Sequence, residues 1–217
     1  MEKKHQVHNL IILDESGSMS SIKNTIIQGF NELVQTIQGI EKQFPEQEHF
    51  VSFVSFNSLG QKLLHFIDPA STLKQIDDKS YNPDAMTPLF DAMGFSINKL
   101  KESLQGQTDY NVLVTILTDG EENNSKEFSG SDIKKLVEGL KQNRWTFTYI
   151  GTDHDVEKIA LSLSINNTMF FAKSEAGIKD MFLKEQSARA KYSKKIHFNE
   201  DTSSNYFDDT EDDKNKK

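Results

Sequence analysis

The chain has 217 residues, with 33 acidic against 25 basic side chains, a formal net charge of −8, and 35% hydrophobic and 27% charged residues. Those figures describe a globular protein with one sizeable core, either one domain or one domain plus a tail. The absence of cysteine excludes disulfides, zinc–thiolate sites, iron–sulfur clusters and thiol nucleophiles, and the acidic balance argues against a nucleic-acid partner, which needs clustered Lys and Arg.

Apolar runs and helical patterns alternate along the chain. Val7 and Leu10-Ile11-Ile12-Leu13 read as a buried strand ending at Asp14. Ile22, Ile26, Ile27, Phe30, Leu33, Val34, Ile37 and Ile40 recur at three- and four-residue spacing, which predicts an amphipathic helix of about six turns. Phe50 to Phe56 reads as a second strand. Asn57-Ser58-Leu59-Gly60 is a tight connection into a third, Lys62 to Ile67, so this pair should be an antiparallel hairpin. Pro69 and Pro83 bracket a loop. Pro88, suited to a first helical turn, opens a helix through Leu89, Phe90, Met93, Ile97, Leu100 and Leu104.

Val112 to Leu117 is the clearest buried strand. Ser131 or Asp132 can cap a helix carrying Ile133, Leu136, Val137 and Leu140. Trp145 to Ile150 is the next strand, and Asp153 or Asp155 can cap a helix through Ile159 and Leu163. Met169-Phe170-Phe171 is a short last strand, and a final helix starts near Glu175 and runs toward Lys191. This alternation predicts an α/β fold: a doubly wound, mostly parallel sheet of about six strands, one antiparallel strand at an edge, and helices on both faces. Ligands of such sheets bind beyond the carboxyl ends of the strands.

Three loops at that rim are rich in oxygen. The first strand ends in Asp14-Glu15-Ser16-Gly17-Ser18, the fourth in Thr118-Asp119-Gly120, and Asp84-Ala85-Met86-Thr87-Pro88 opens a helix. Asp14, Ser16, Ser18, Thr87 and Asp119 offer only hard oxygen, which suits Mg²⁺, with Mn²⁺ or Ca²⁺ as alternatives, rather than zinc or copper. Two carboxylates on a divalent cation make a neutral site that favours an incoming carboxylate oxygen.

In this pattern the chain resembles the von Willebrand factor A domains and their metal-ion-dependent adhesion site (MIDAS). The strings Asp14-Glu15-Ser16-Gly17-Ser18-Met19, Thr87-Pro88-Leu89-Phe90-Asp91-Ala92 and Leu117-Thr118-Asp119-Gly120-Glu121-Glu122-Asn123 look most like the bacterial stand-alone members. The resemblance covers about residues 7–183. It implies a Rossmann-like sheet and a cation held directly by Ser16 and Ser18. Thr87 would bind directly or through water, and Asp14 and Asp119 would hold coordinating waters, with Asp119 binding directly in one state. The open position would take an acidic side chain of a partner protein. The chain departs from the pattern at Asp84-Ala85-Met86, where many relatives have glycines. A stiffer loop follows, and the added charge of Asp84 either tightens metal binding or discourages an acidic ligand.

The competing class is a metal-dependent hydrolase or phosphoryl-transfer enzyme using the same cation, with Asp84, Glu121 or His154 as general base. The chain has neither a phosphate-cradling glycine loop nor a nucleophile elbow, and the expectation is a binding module with no catalytic residues. Glu121 and Glu122 read as a solvated loop, with tuning of the site or of the partner surface as the alternative, and His5 with His8 as structural or solvent-exposed residues on opposite strand faces. Phe50, Phe53, Phe56, Phe147, Phe170 and Phe171 read as core. Lys179, Lys184, Arg189, Lys191, Lys194 and Lys195 read as a solvated basic face, with the acidic tail folding back on it as the alternative.

No stretch is long enough for a signal-peptide core or a membrane span, so a cytoplasmic protein without a membrane partner is expected. Residues 1–197 form the expected domain. Residues 198–217 carry seven acidic against three basic side chains, half the net charge, and read as an acidic disordered tail. Solubilisation is its simplest role; autoinhibition, with Asp208 or Asp209 reaching the open metal position, is the alternative.

Overall fold

The computed structural model describes residues 4–152 and 156–208. Six strands form one sheet: β1 (His5–Asp14), β2 (Gln47–Asn57), β3 (Gly60–Pro69), β4 (Tyr110–Leu117), β5 (Trp145–Gly151) and β6 (Asn167–Phe170). Their order is β3-β2-β1-β4-β5-β6, and only the β2–β3 pairing is antiparallel. The helices are α1 (Lys23–Gln43), α2 (Leu89–Ser103), α3 (Gly130–Lys141), α4 (Val156–Ser162) and α5 (Glu175–His197). This is the doubly wound sheet that the alternation of patterns predicts.

The period-two geometry of β1 explains the two layers. Leu10 and Ile12 join Val54, Phe56, Val114 and Ile116 in a core covered by α2, α3 and α4. Ile11 and Leu13 point the other way, into a core with Val51, Phe53 and Leu117 covered by α1 and α5. Because both faces are buried, the central strands read as continuous apolar runs. In α1, Ile26, Phe30, Leu33 and Ile37 form the buried stripe. The chain leaves β1 toward β2 on one side and returns to β4 on the other. The winding therefore reverses between β1 and β4, the crevice where such sheets bind ligands.

Several local expectations shift. Pro88 is the N-cap residue of α2 rather than part of its first turn. The cap of α3 is Ser129, not Ser131. Its hydroxyl accepts from the Asp132 N–H, and the Asp132 carboxylate accepts from the Ser129 N–H, a reciprocal capping box. Phe170 is 57% exposed, because it ends the short edge strand β6 on the open side. The proposed caps Asp153 and Asp155 lie outside the described residues.

The basic helix α5 carries a larger difference. Arg189 is 1% exposed. Its guanidinium donates to Glu185 Oε1 (2.6 Å), Glu185 Oε2 (3.2 Å), Asn9 Oδ1 (2.5 Å) and Thr115 Oγ1 (3.0 Å). A buried charge must be paired and fully hydrogen-bonded, and this network does both. The domain boundary at 197/198 also falls inside packed structure. Tyr206 is buried against Val7, Leu113, Ala188 and Tyr192, donates to Glu185, and its N–H donates to Asn167. The few apolar residues of an otherwise polar segment anchor residues 198–208 on α5. No helix among the described residues is long and apolar enough to cross a membrane.

Breaking the buried pair from one side should be costly. Arg189→Met leaves Glu185 buried without its cation and should lower stability by about 3–5 kcal/mol in urea unfolding, whereas Glu185→Leu combined with Arg189→Met should recover at least half of the loss.

Candidate metal centre at the sheet switch point

β1 and β4 are neighbouring parallel strands in which Leu13 pairs with Leu117, so the residues that follow, Asp14 and Thr118, emerge together at the rim. Thr118 Oγ1 donates to Asp14 Oδ2 at 2.6 Å and accepts from the Gly120 N–H at 3.2 Å. The other Asp14 oxygen accepts from the Ser16 N–H at 2.7 Å. These bonds hold the carboxylate while the chain turns, and they aim the next hydroxyls inward. Ser16 Oγ and Ser18 Oγ lie 3.0 Å apart, and Ser18 Oγ donates to Asp119 Oδ1 at 2.5 Å.

Thr87 arrives from the loop before α2. A Cβ placed on Gly120 would stand 3.5 Å from Thr87 Oγ1 and 3.9 Å from Ser18 Oγ, so both hydroxyls converge on the backbone of Gly120. The five residues singled out from the sequence therefore meet at one rim. Asp14, Ser16, Thr87 and Asp119 are buried. Burial pushes the Asp14 carboxyl up to about 6, against the hydrogen bonds from Thr118 and Ser16; the charge of Asp119 adds a smaller upward push.

A second set of residues, not anticipated as part of the site, builds its walls. Glu15, the position between the first two motif oxygens, is 1% exposed. Its carboxylate accepts from Ser55 Oγ, Lys62 Nζ and the Asn82 N–H, each at 2.6 Å, which ties β1 to β2, β3 and the incoming loop. Tyr81 donates to the Asp14 carbonyl at 2.8 Å. The Asp84 N–H donates to the Glu15 carbonyl, and the Gly17 N–H to the Ala85 carbonyl. Glu122 is not a solvated loop residue: it accepts from the N–H groups of Phe90, Asn124 and Ser125. It thereby replaces the cap that Pro88 cannot supply to α2. Asn123 accepts from the Thr87 N–H at 2.9 Å and so holds that residue in place.

Lys173 is the cation that sequence reading missed. It lies in the loop between β6 and α5, and its Nζ stands 2.5 Å from Asp119 Oδ2. The ammonium lacks hydrogen-bond alignment, so this buried oxygen has an ionic neighbour and no hydrogen-bond donor. Nothing in its local sequence marks Lys173; only its place at the rim does.

The remaining candidates separate from the site. His5 pairs with Asp109 and Asn111 near the opposite end of the sheet, and His8 is buried against the Phe50 ring. Asp84 and Glu121 are exposed, and the Asp84 carboxylate accepts from the Ala85 N–H. His154 lies outside the described residues. Asp208 shares a cavity with Lys191 and Lys195, about 25 Å along α5 from Ser174 at the rim, which takes it away from the metal position. Asp209 lies outside the described residues. A polar cavity of about 660 Å³ opens at the opposite end of the sheet among Asp109, Arg144 and His197, remote from the carboxylates. Among the described residues no three His, Asp or Glu side chains come together as a metal cluster. The rim set, with two carboxylates and three hydroxyls, is of the hydrated, oxygen-only kind.

A six-stranded sheet with one antiparallel strand, and a switch-point rim carrying Asp-x-Ser-x-Ser, Thr and Asp, match the α/β module that the motifs resemble. The sequence profile of the von Willebrand factor type A domain matches residues 10–194, and the chain belongs to that family. Such domains commonly serve as protein-interaction modules.

Among solved structures, the proximal thread matrix protein 1 of the mussel byssus is similar at a TM-score of 0.55 and 11% identity, with 87% of this chain and 47% of that one covered. A second crystal form of it aligns at a TM-score of 0.54 and 13% identity, with the same coverage of both chains. The chain therefore spans about half the length of that protein. The SpRpn10 VWA domain aligns at a TM-score of 0.51 and 9% identity, covering 82% of this chain and 94% of that domain. These likenesses establish the fold. No curated protein sequence matches the chain.

Two predictions come from the site's walls and charges. Ala85 holds φ 64°, a left-handed conformation that glycine adopts freely. Ala85→Gly should therefore raise stability by about 0.5 kcal/mol in chemical unfolding, the relief of strain exceeding the entropy gained by the unfolded chain.

The second is a pH dependence in EDTA. Burial depresses His8 from 6.5 to about 4 and His49 from 6.5 to about 3, with smaller pushes from the charge of His5 on both and of Arg189 on His49. Unfolding near pH 5 therefore takes up two protons at these residues. Asp14, raised from 3.8 to about 6, releases one. The net uptake of about one proton makes stability fall by about 1.4 kcal/mol per unit as the pH drops from 6 to 5. Denaturant titrations at several pH values should show this slope, and His49→Gln should bring it close to zero.

Proposed function

We propose that this von Willebrand factor A domain binds a divalent cation, with Mg²⁺ favoured, through Asp14, Ser16, Ser18, Thr87 and Asp119, and that the cation grips an acidic side chain of a partner protein. The observation that carries the reading is the meeting of these oxygen-bearing residues, from three loops, at the β1/β4 switch point. Mg²⁺ fits such a set because it retains water and takes only one or two carboxylates. Ser16 and Ser18 would hold the ion directly. Thr87 would do so directly or through water, and Asp14 and Asp119 would orient its waters. When bound, the cation supplies a Lewis-acidic position for a carboxylate oxygen. Exposed apolar side chains of Leu59 and Met86 flank the rim, where the Ser58 N–H donates to the Met86 carbonyl and the Met86 N–H to the Ser58 hydroxyl. They offer the partner an apolar contact beside the ionic one.

The role is one of binding rather than catalysis. Asp84 and Glu121 face solvent, and the inward oxygens are engaged with one another. A cytoplasmic setting, rich in Mg²⁺ and asking nothing of disulfides, fits the same reading.

Calorimetric titration of Mg²⁺ or Mn²⁺ into the chain should show one site, weakened about 10–100-fold by Asp14→Ala or Ser16→Ala. Unchanged affinity in both variants would reject the assignment. Capture of the partner should be lost in EDTA and restored by Mg²⁺.

A further inference from the structure

Asp119 divides its carboxylate between two neighbours. Oδ1 accepts from the Ser18 hydroxyl at 2.5 Å, and Oδ2 faces the Lys173 ammonium at 2.5 Å. The Asp119 side chain is fully buried, whereas that of Lys173 is 29% exposed. The ammonium therefore reaches in from solvent on a flexible stem to a fixed, dry carboxylate. The Thr152 hydroxyl holds the Asp119 carbonyl at 2.9 Å, and the neighbouring Gly120 N–H is held by Thr118, so the backbone that carries the carboxylate is fixed.

A cation placed among Ser16 Oγ, Ser18 Oγ and Asp119 would sit close to this ammonium. At such distances, in a partly desolvated site, like charges repel strongly. Both cations would draw on the same carboxylate, since Asp119 Oδ2 faces the ammonium while Oδ1 faces the Ser18 hydroxyl.

We propose that Lys173 is the resident counter-ion of Asp119 and competes with the divalent cation, so that metal binding must displace its ammonium into solvent. The inference rests on the cation site proposed above and adds the residue that sets its affinity. Lys173 acts through Asp119 and is a positioning residue, not a metal ligand. The apparent dissociation constant is the intrinsic one divided by the fraction of molecules with the ion pair open. A pair closed nine-tenths of the time weakens metal binding about tenfold.

The test is titration of Mn²⁺ and of Mg²⁺ into the full chain and its Lys173→Met, Lys173→Gln and Lys173→Arg variants, followed by calorimetry. Thermal unfolding is measured in EDTA and in excess Mg²⁺. Lys173→Met and Lys173→Gln should bind both ions about tenfold more tightly than the parent. They should also melt at lower temperature in EDTA, since Asp119 is then buried without a cation, and regain that loss in Mg²⁺. Lys173→Arg keeps the charge and should stay near the parent affinity. Parent-like or weaker binding by Lys173→Met and Lys173→Gln, with the parent itself binding, overturns the inference and leaves the cation site standing. Binding by those two variants but not by the parent supports the inference in its strongest form. Absence of binding in all four chains overturns the site and the inference together.

Discussion

Two carboxylates, Asp14 and Asp119, end neighbouring parallel strands and are withdrawn from water at the same rim. Buried carboxylates of like charge raise each other's cost of ionisation, and the cost must be met by donors, by a cation or by protonation. The structure meets it unequally. Asp14 is surrounded by neutral donors, the Thr118 hydroxyl and the Ser16 N–H, and burial still lifts it to about 6. Asp119 has the Ser18 hydroxyl on one oxygen and the Lys173 ammonium on the other. The ordering of the rim loops follows from satisfying these two groups: the turn after β1 is shaped by bonds to Asp14, and the loop after β6 is brought in by charge.

The sheet makes such a pair unavoidable. Because the winding reverses between β1 and β4, no crossover helix covers the space beyond their ends, and whatever residues terminate those strands stand face to face. The third contributor, Thr87, needs a loop that crosses from the hairpin edge. Glu15 secures that crossing from below, with three donors from β2, β3 and the loop itself converging on one buried carboxylate. Glu122 and Asn123 secure it from the β4 side. Thus three acids that bind no ion in this scheme (Glu15, Glu122 and, through Lys126 to Phe128, Asp91) spend their oxygens on backbone and side-chain donors around the site. They account for part of the acidity of the folded body, and their hydrogen bonds go to the frame around the site.

Much of this was legible before any coordinates. The opposed burial of Leu10 and Ile12 against Ile11 and Leu13 is the structural meaning of an unbroken apolar run, and the hairpin followed from the four-residue link at Asn57 to Gly60. Spaced oxygen at strand ends pointed to Asp14, Ser16, Ser18, Thr87 and Asp119. Local pattern fails where a residue's role is decided by a distant segment. Arg189 looks like one more cation on a basic helix until Asn9 and Thr115 are found opposite it. Tyr206, within a stretch whose composition reads as a tail, finds its pocket among Val7, Leu113 and Tyr192. Glu15 was hidden by its motif, since the position between two ligands is written as variable. Lys173 had no local signal at all, being 54 residues from Asp119 in the chain.

The contrast between Glu15 and Lys173 bears on how the rim can work. The walls are rigid, being held by short hydrogen bonds from backbone and buried side chains, and even the awkward left-handed Ala85 is held by its bond to Gly17. A rigid cage of oxygens is preorganised: its hydroxyls need no rearrangement to receive a cation, so little of the binding energy is spent on ordering them. The Lys173 side chain is long, 29% exposed and joined to Asp119 by charge alone, so it can leave without disturbing the fold. Exchange of one positive charge for another at Asp119 is then a local event, confined to one flexible side chain against a fixed frame. A site built this way can tolerate being metal-free, because its most exposed charge conflict is already answered from within the chain.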